Sequence, residues 1–84
     1  MQTMSQDTYQ PISCASYDTY EIAIMRKTPL SLSWRDEQGQ IREEQVLPVD
    51  LRTERGSGEF LLAQGKDGER YRIRLDRILK QPNT

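Results

Sequence analysis

Tyr17, Asp18 and Glu21 lie close together near the start of the chain, downstream of Tyr9, Pro11, Ile12 and Cys14. Asp18 and Glu21 are three residues apart, so a helix through them sets their carboxylates side by side. Two carboxylates with a phenol at their margin form a surface for cations, above all the guanidinium and ammonium groups of a basic partner. They have no recognisable acid–base spacing for catalysis. The chain contains no histidine, which removes a His general base and His ligands for a metal. Its one cysteine, Cys14, supplies neither an internal disulfide nor a cysteine cluster for zinc. Gly56-Ser57-Gly58 is too short for a phosphate-binding loop and lacks the following lysine and helix. The expectation is a binding protein, not an enzyme, with no metal and no cofactor.

The elements that must position these groups follow from periodicity. At about 100° per residue, Tyr20, Ala23 and Ile24 share one helix face, with Tyr17 at its margin. That face is expected to pack on a sheet. Asp18, Glu21, Ile22 and Met25 fall on roughly the opposite side. Two readings of this second face stand. One is a solvated face with incidental apolar residues, or a helix buried on both sides. The other is a contact patch, in which apolar anchors ringed by carboxylates meet a partner that is basic around a hydrophobic spot. Ser16 is the expected N-cap, with Asp18 in the first turn, where the helix dipole favours negative charge. The helix should run to about Lys27, since Arg26 and Lys27 suit its C-terminal end and Pro29 stops it. In the arm before it, Pro11 favours extended chain. Ile12 is expected on the core, as a residue just before a helix often is. Tyr9 fits packing or contact equally. Cys14 is expected to be a small buried residue.

After Pro29 the period becomes two. Leu30, Leu32 and Trp34 alternate with Ser31 and Ser33, the pattern of a half-buried strand. A turn at Asp36–Gly39 leads to a second strand over Ile41–Leu47. Pro48 interrupts or edges it, while Leu47, Val49 and Leu51 still share one parity. Arg55–Gly58 reads as a flexible loop and Phe60–Ala63 as a strand buried on both faces. Gly65–Gly68 is a hairpin turn, Tyr71, Ile73 and Leu75 alternate with arginines, and Ile78 and Leu79 close the last strand. One helix followed by about five short antiparallel strands must curl, or it leaves long edges open. The expected fold is therefore mainly β with one N-terminal helix, a small bent antiparallel barrel or sandwich of the Sm-like order.

With 84 residues, a formal net charge of −1 and a pI near 5.4, the chain bounds a single polar domain. Residues 7–80 form the expected domain, between an N-terminal tail of residues 1–6 and a C-terminal tail of residues 81–84, both expected to be disordered. No apolar run approaches the ~20 residues that cross a bilayer, and the start lacks the pattern of a signal peptide. The expectation is a cytoplasmic monomer with no membrane association. The main rival signal is the row Arg70, Arg72 and Arg74, with Arg77 beyond. On one strand face it could contact RNA phosphates, or pair across the sheet with Glu43, Glu44 or Glu59. Trp34 and Tyr71 alternate inward and so read as core residues, not stacking platforms. Together with the acidic pI this favours pairing, and no direct nucleic-acid contact is expected.

From about Asp7 to about Leu79 the chain resembles the bacterial Rho-binding antiterminators, the Rof family. The resemblance is carried by Tyr9-Gln10-Pro11-Ile12 through Cys14, Tyr17-Asp18 and Glu21. It is carried again by Ile73-Arg74-Leu75-Asp76-Arg77-Ile78, which is similar to the family's closing strand. Asp50-Leu51 and the apolar pattern are shared between them. It implies an Sm-like fold and an inhibitor of transcription termination factor Rho. Such a protein binds the N-terminal domain of Rho at or beside its primary RNA-binding surface and blocks RNA loading. By position the resemblance implies Tyr17, Asp18 and Glu21 as contacts, with Arg55 in the loop as a further one. Ile22 and Met25 join them as apolar anchors of the same helix face. Two departures are visible: Ala15 and Ser16 stand where the family has acids, and the Arg55–Gly58 loop differs in length and composition. The alternative function is an Sm-like RNA-binding module using Arg70, Arg72 and Arg74. It would bring a ring-forming strand edge and an RNA-binding motif, and the sequence displays neither.

Overall fold

Ser13 starts the helix. Its backbone is extended, and its hydroxyl accepts the Ser16 amide at 3.1 Å, so helix α1 spans Cys14–Arg26. The cap is thus three residues earlier than the expected Ser16, which is instead fully buried and accepts a hydrogen bond from the Ser13 hydroxyl. Asp18 consequently lies beyond the first turn, which holds no acidic side chain, and a dipole argument does not apply to it. At the other end Lys27 turns left-handed, and the Thr28 amide donates back to the Ala23 carbonyl at 2.9 Å. This is the six-to-one bond that ends many helices. The structure, a computed structural model, describes residues 8–81. The expected N-terminal tail and residues 82–84 of the expected C-terminal tail lie outside the described residues.

Four antiparallel strands follow in the spatial order β1-β2-β3-β4: β1 (Leu30–Arg35), β2 (Ile41–Glu54), β3 (Gly58–Gln64) and β4 (Arg70–Arg74). The expected count of about five is met differently. β2 is a single 14-residue strand whose first part pairs with β1 and whose second part pairs with β3. The register shifts between Pro48 and Asp50. Proline has no ladder N–H to give, and a bulge bends its strand and increases its twist. The bulge also breaks the expected common parity of Leu47, Val49 and Leu51. Val46 and Pro48 point inward, whereas Val49 is about half exposed. The expected last strand shrinks to a 3-10 turn over Leu75–Arg77 and one bridge, Trp34 to Ile78, with the Leu79 amide donating to Ser33 O at 2.8 Å. That bridge returns the chain to β1 and curls the sheet into a half-barrel.

The core fills the concave side. Leu32 and Trp34 of β1, Val46 of β2, Leu61 and Ala63 of β3 and Ile73 of β4 meet Leu75 and Ile78 there. α1 covers them through Tyr20, which is fully buried, and Ala23. The Tyr20 hydroxyl, buried among apolar groups, donates to Gln81 Oε1 at 2.5 Å. The Gln81 amide in turn donates to the Leu75 and Ile78 carbonyls. Ile12 packs against this cluster as expected, and so do Tyr9 and Tyr17. Phe60 is buried on the other face of β3, where the Arg72 guanidinium lies 3.9 Å from its ring centroid.

Cys14 is exposed, contrary to its expected burial. With the cap at Ser13 it is the first helical residue, and the inward positions begin at Ser16. Truncation of the fully buried Leu61 to alanine should cost about 2–5 kcal/mol in a denaturant titration. Cys14→Ser should change stability by no more than about 0.5 kcal/mol, as surface substitutions do. The thiol should also react with an aqueous thiol reagent in the native protein.

Candidate functional site

Tyr20 and Ala23, fixed in the core, decide which side of α1 faces solvent. Asp18 and Glu21 are exposed, Ile22 is 46% exposed and Met25 78% exposed. A helix buried on both sides is therefore excluded, and an open face carrying two acids and two large apolar side chains remains. Among the described residues no ion pair engages Asp18 or Glu21. Tyr17 sits at the margin, half-buried against the core.

The fold adds groups to this margin that sequence reading missed. The arm crosses the hairpin between β2 and β3. There the Tyr9 hydroxyl donates to Glu59 Oε1 at 3.4 Å, and the Thr53 hydroxyl donates to Glu59 Oε2 at 3.3 Å. Burial raises the Tyr17 hydroxyl above its usual pKa, and the negative charges of Glu59, Glu21 and Asp50 raise it further. Carboxylates on three elements, β3, α1 and β2, thus all disfavour ionisation of this one phenol. The Asp50 carboxylate accepts the Leu51 amide at 2.9 Å, and its ion pair with Arg52 is loose, at 3.9 Å with both side chains more than half exposed, so that pair contributes little. No local motif announces Asp50 or Glu59. Their signal is strand parity: Glu59 shares the parity of Leu61 and Ala63, at the rim of the core side.

Arg55 is exposed at the tip of the hairpin, on the rim of a cleft of about 670 Å³ between hairpin and arm, also lined by Thr8, Tyr9, Pro11 and Glu59. The structure thus groups Tyr17, Asp18, Glu21, Ile22 and Met25 on α1. It sets Arg55 apart, on a different element that faces the arm.

Two members of the arginine row, Arg72 and Arg74, are engaged, but not with the expected partners, whereas Arg70 is exposed. Arg72 pairs with Glu54 of β2, and Arg74 with Asp76 of the 3-10 turn at 2.6 Å. Glu44 pairs with Arg42 at 3.1 Å. The reason is again parity. Phe60 and Leu62, not Glu59, share the face of the row, so Arg72 reaches across Phe60 to β2. Arg35, Arg42, Arg70, Arg72, Arg74 and Arg77 line a shallow groove of about 650 Å³, together with Asp36 and Glu37. Its aromatic rings are already in use. Trp34 meets the edge of Tyr71 at 5.4 Å, Arg42 lies 5.4 Å from the Tyr71 centroid, and Arg72 covers Phe60. Trp34 and Phe60 are buried and Arg42 lies over Tyr71, so little ring surface is left on which a base could stack.

The phenols of the site remain protonated across the neutral range. The Tyr9 hydroxyl is pushed up to about 12, first by burial and then by the charge of Glu59. A tyrosine raised in the folded state contributes stability that is complete below its unfolded pKa and is lost as pH climbs toward its folded one. Stability should therefore hold up to about pH 10. It should then fall as pH rises toward 12, the folded value for Tyr9. Phenolate absorbance near 295 nm, recorded in native and denatured protein, checks this: the native curve should lie at higher pH.

Among the described residues no group of three or more His, Cys, Asp or Glu is placed to hold a metal, and no helix is long and apolar enough to cross a membrane. No family model matches the chain. Over 72 residues it is 36% identical to Protein rof of Escherichia coli (strain K12), covering 86% of this chain and 79% of that protein. The match to Protein rof of Shigella flexneri has the same identity and coverage. Identity at this level over most of both chains means that this protein belongs to the Rof family.

Proposed function

We propose that this protein is an antiterminator that binds transcription termination factor Rho through the exposed face of α1 and blocks RNA loading. The observation that carries this reading is the open, unpaired pair Asp18 and Glu21 beside exposed Ile22 and Met25, on a helix whose opposite face is fixed in the core by Tyr20. Membership in the Rof family, which the sequence resemblance links to Rho, supports the partner. The N-terminal domain of Rho holds RNA, and a surface that holds RNA is basic. A face with two solvent-facing carboxylates and two apolar anchors complements such a surface and competes with RNA for it. Tyr17 borders the contact, and Arg55 reaches it only from the hairpin side. On this reading the protein is a cytoplasmic monomer, has no catalytic activity, and excludes RNA from Rho without binding RNA itself. The pairing of Arg72 and Arg74 and the covered aromatic rings weigh against the RNA-binding alternative.

Loss of one carboxylate from a desolvated ion pair costs about 2–5 kcal/mol, in part because the partner cation is left unpaired. Asp18→Lys combined with Glu21→Lys should therefore abolish inhibition of Rho-dependent termination while circular dichroism shows a folded chain. Added salt should weaken binding of the parent. The measurement is in vitro termination by Rho in the presence of each variant. A folded double-lysine variant that restores read-through as well as the parent would exclude the acidic helix face.

A further inference from the structure

The arm before α1 is tied down at two points, neither on the exposed helix face. The first is a seat for Tyr9. Gly58 has φ +117°, and a Cβ there would stand 2.6 Å from Tyr9 Cγ, 2.7 Å from Cδ1 and 2.9 Å from Cβ. Gly39 and Gly56 also have positive φ, but a Cβ on either would meet nothing within 4 Å. Those two glycines serve their turns, whereas Gly58 also makes room for a ring. The second point is the Gln10 amide, which donates to Asp76 Oδ2 at 2.8 Å. Asp76 is itself gripped by Arg74 through Nε at 2.6 Å and a terminal nitrogen at 3.0 Å, with side-chain exposures of 8% and 14%. The Arg74 guanidinium lies 6.0 Å from the Tyr9 ring centroid. Arg74, a member of the arginine row, thus belongs to the anchorage of the arm.

Ser13, whose hydroxyl and carbonyl accept the amides of Ser16 and Tyr17, follows this anchorage directly in the chain. Helix ends fray unless the flanking chain is fixed, because their first amides have no partners within the helix. We propose that Tyr9 and Gly58 form a lock that makes the arm, the first turns of α1 and the β2–β3 hairpin one preformed surface, and that both are positioning residues for the partner contact on α1. The partner half of this proposal rests on the Rho reading. The lock half concerns the free protein. A preformed surface binds more tightly than one that must be ordered on contact. The lock also holds Glu59, whose carboxylate the Tyr9 hydroxyl bonds from the arm.

The test has two readouts. In the free protein, Gly58→Ala should abolish hydrogen-exchange protection at Gln10 and reduce it at Ser16 and Tyr17, with Leu61 and Ile73 in the core still protected. In binding to the N-terminal domain of Rho, the same variant should lose about tenfold in affinity, the scale set by the ordering of one or two side chains. A purely local strain at position 58 would act regardless of Tyr9, so a Tyr9→Gly background separates the two causes. With the seat vacated, adding Gly58→Ala should weaken binding no further. Should Gly58→Ala fail to fold, Tyr9→Gly alone carries both readouts. Unchanged protection of the arm overturns the lock. Lost protection with unchanged Rho affinity overturns the positioning role, as do independent, additive losses in the double variant. If the unaltered protein does not bind Rho, the Rho reading fails, and the exchange data decide the lock alone.

Discussion

The bend in β2 is the constraint on which the rest of the structure depends. A 14-residue strand is long for a domain of this size, and left straight it would make a flat ribbon with no interior. The register shift between Pro48 and Asp50 lets the same strand serve β1 on one side of the bend and β3 on the other. The concavity this creates is the space that Tyr20 fills from α1. Without the bend the helix would have no hollow to cover, and its Tyr20 and Ala23 face would have nothing to bury. The bulge also ends the inward run of Val46 and Pro48 and leaves Asp50 facing solvent. One irregularity in the ladder therefore shapes the core and turns a carboxylate of β2 to solvent.

The near-zero net charge conceals a division of labour. Arginines on both faces of the sheet are bound into the structure: Arg72 over Phe60 and paired with Glu54, Arg42 beside Tyr71 and paired with Glu44. An arginine lying on a buried ring contributes as packing, through its planar guanidinium and its aliphatic stem, as much as through its charge. The least exposed pair, Arg74 with Asp76, has a second task, since the same Asp76 carboxylate receives the Gln10 amide. These cations hold strand to strand and arm to barrel. The carboxylates of α1 hold nothing within the described fold.

Much of this was legible in the sequence, for physical reasons that can be named. Leu32 and Trp34 alternate with serines because one face of β1 is wet, so their burial follows from a period of two. The inward set Tyr20 and Ala23 follows in the same way from the helical period. The cap was misplaced because Ser13 and Ser16 are chemically equivalent candidates, and only the chain's entry into the fold chooses between them. Cys14 was expected inside on the general preference of free cysteine for the interior, but as the first helical residue it lies outside the inward set that begins at Ser16. The bulge, the reduced last strand, Glu59 and Asp50 were hidden for another reason. Each depends on which segments meet across the sheet, and no local pattern encodes that. The partners of the arginine row belong to the same class: like Glu59, Glu43 and Glu44 were plausible by composition, and pairing register excluded them from the row.

The open face of α1 departs from what helix stability alone would favour. Asp18 and Glu21 are close enough to repel each other by a few tenths of a kcal/mol, the usual scale for like charges at this spacing. The positions four residues after them, where a lysine or arginine would relieve that repulsion, are occupied by Ile22 and Met25. Both are exposed, so the helix forgoes two ion pairs and presents two apolar side chains to water at no evident benefit to the fold. Local rules broken without compensation in the folded chain tend to mark surfaces whose compensation arrives with a partner. On the proposed reading of this face, the partner can be described from the deficit itself. It must bring cations to the side of Asp18 and Glu21 and an apolar surface to Ile22 and Met25, on one rigid front. A basic domain shaped to hold a nucleic acid, with hydrophobic ground between its cations, satisfies both conditions, whereas a simple counter-ion satisfies only the first.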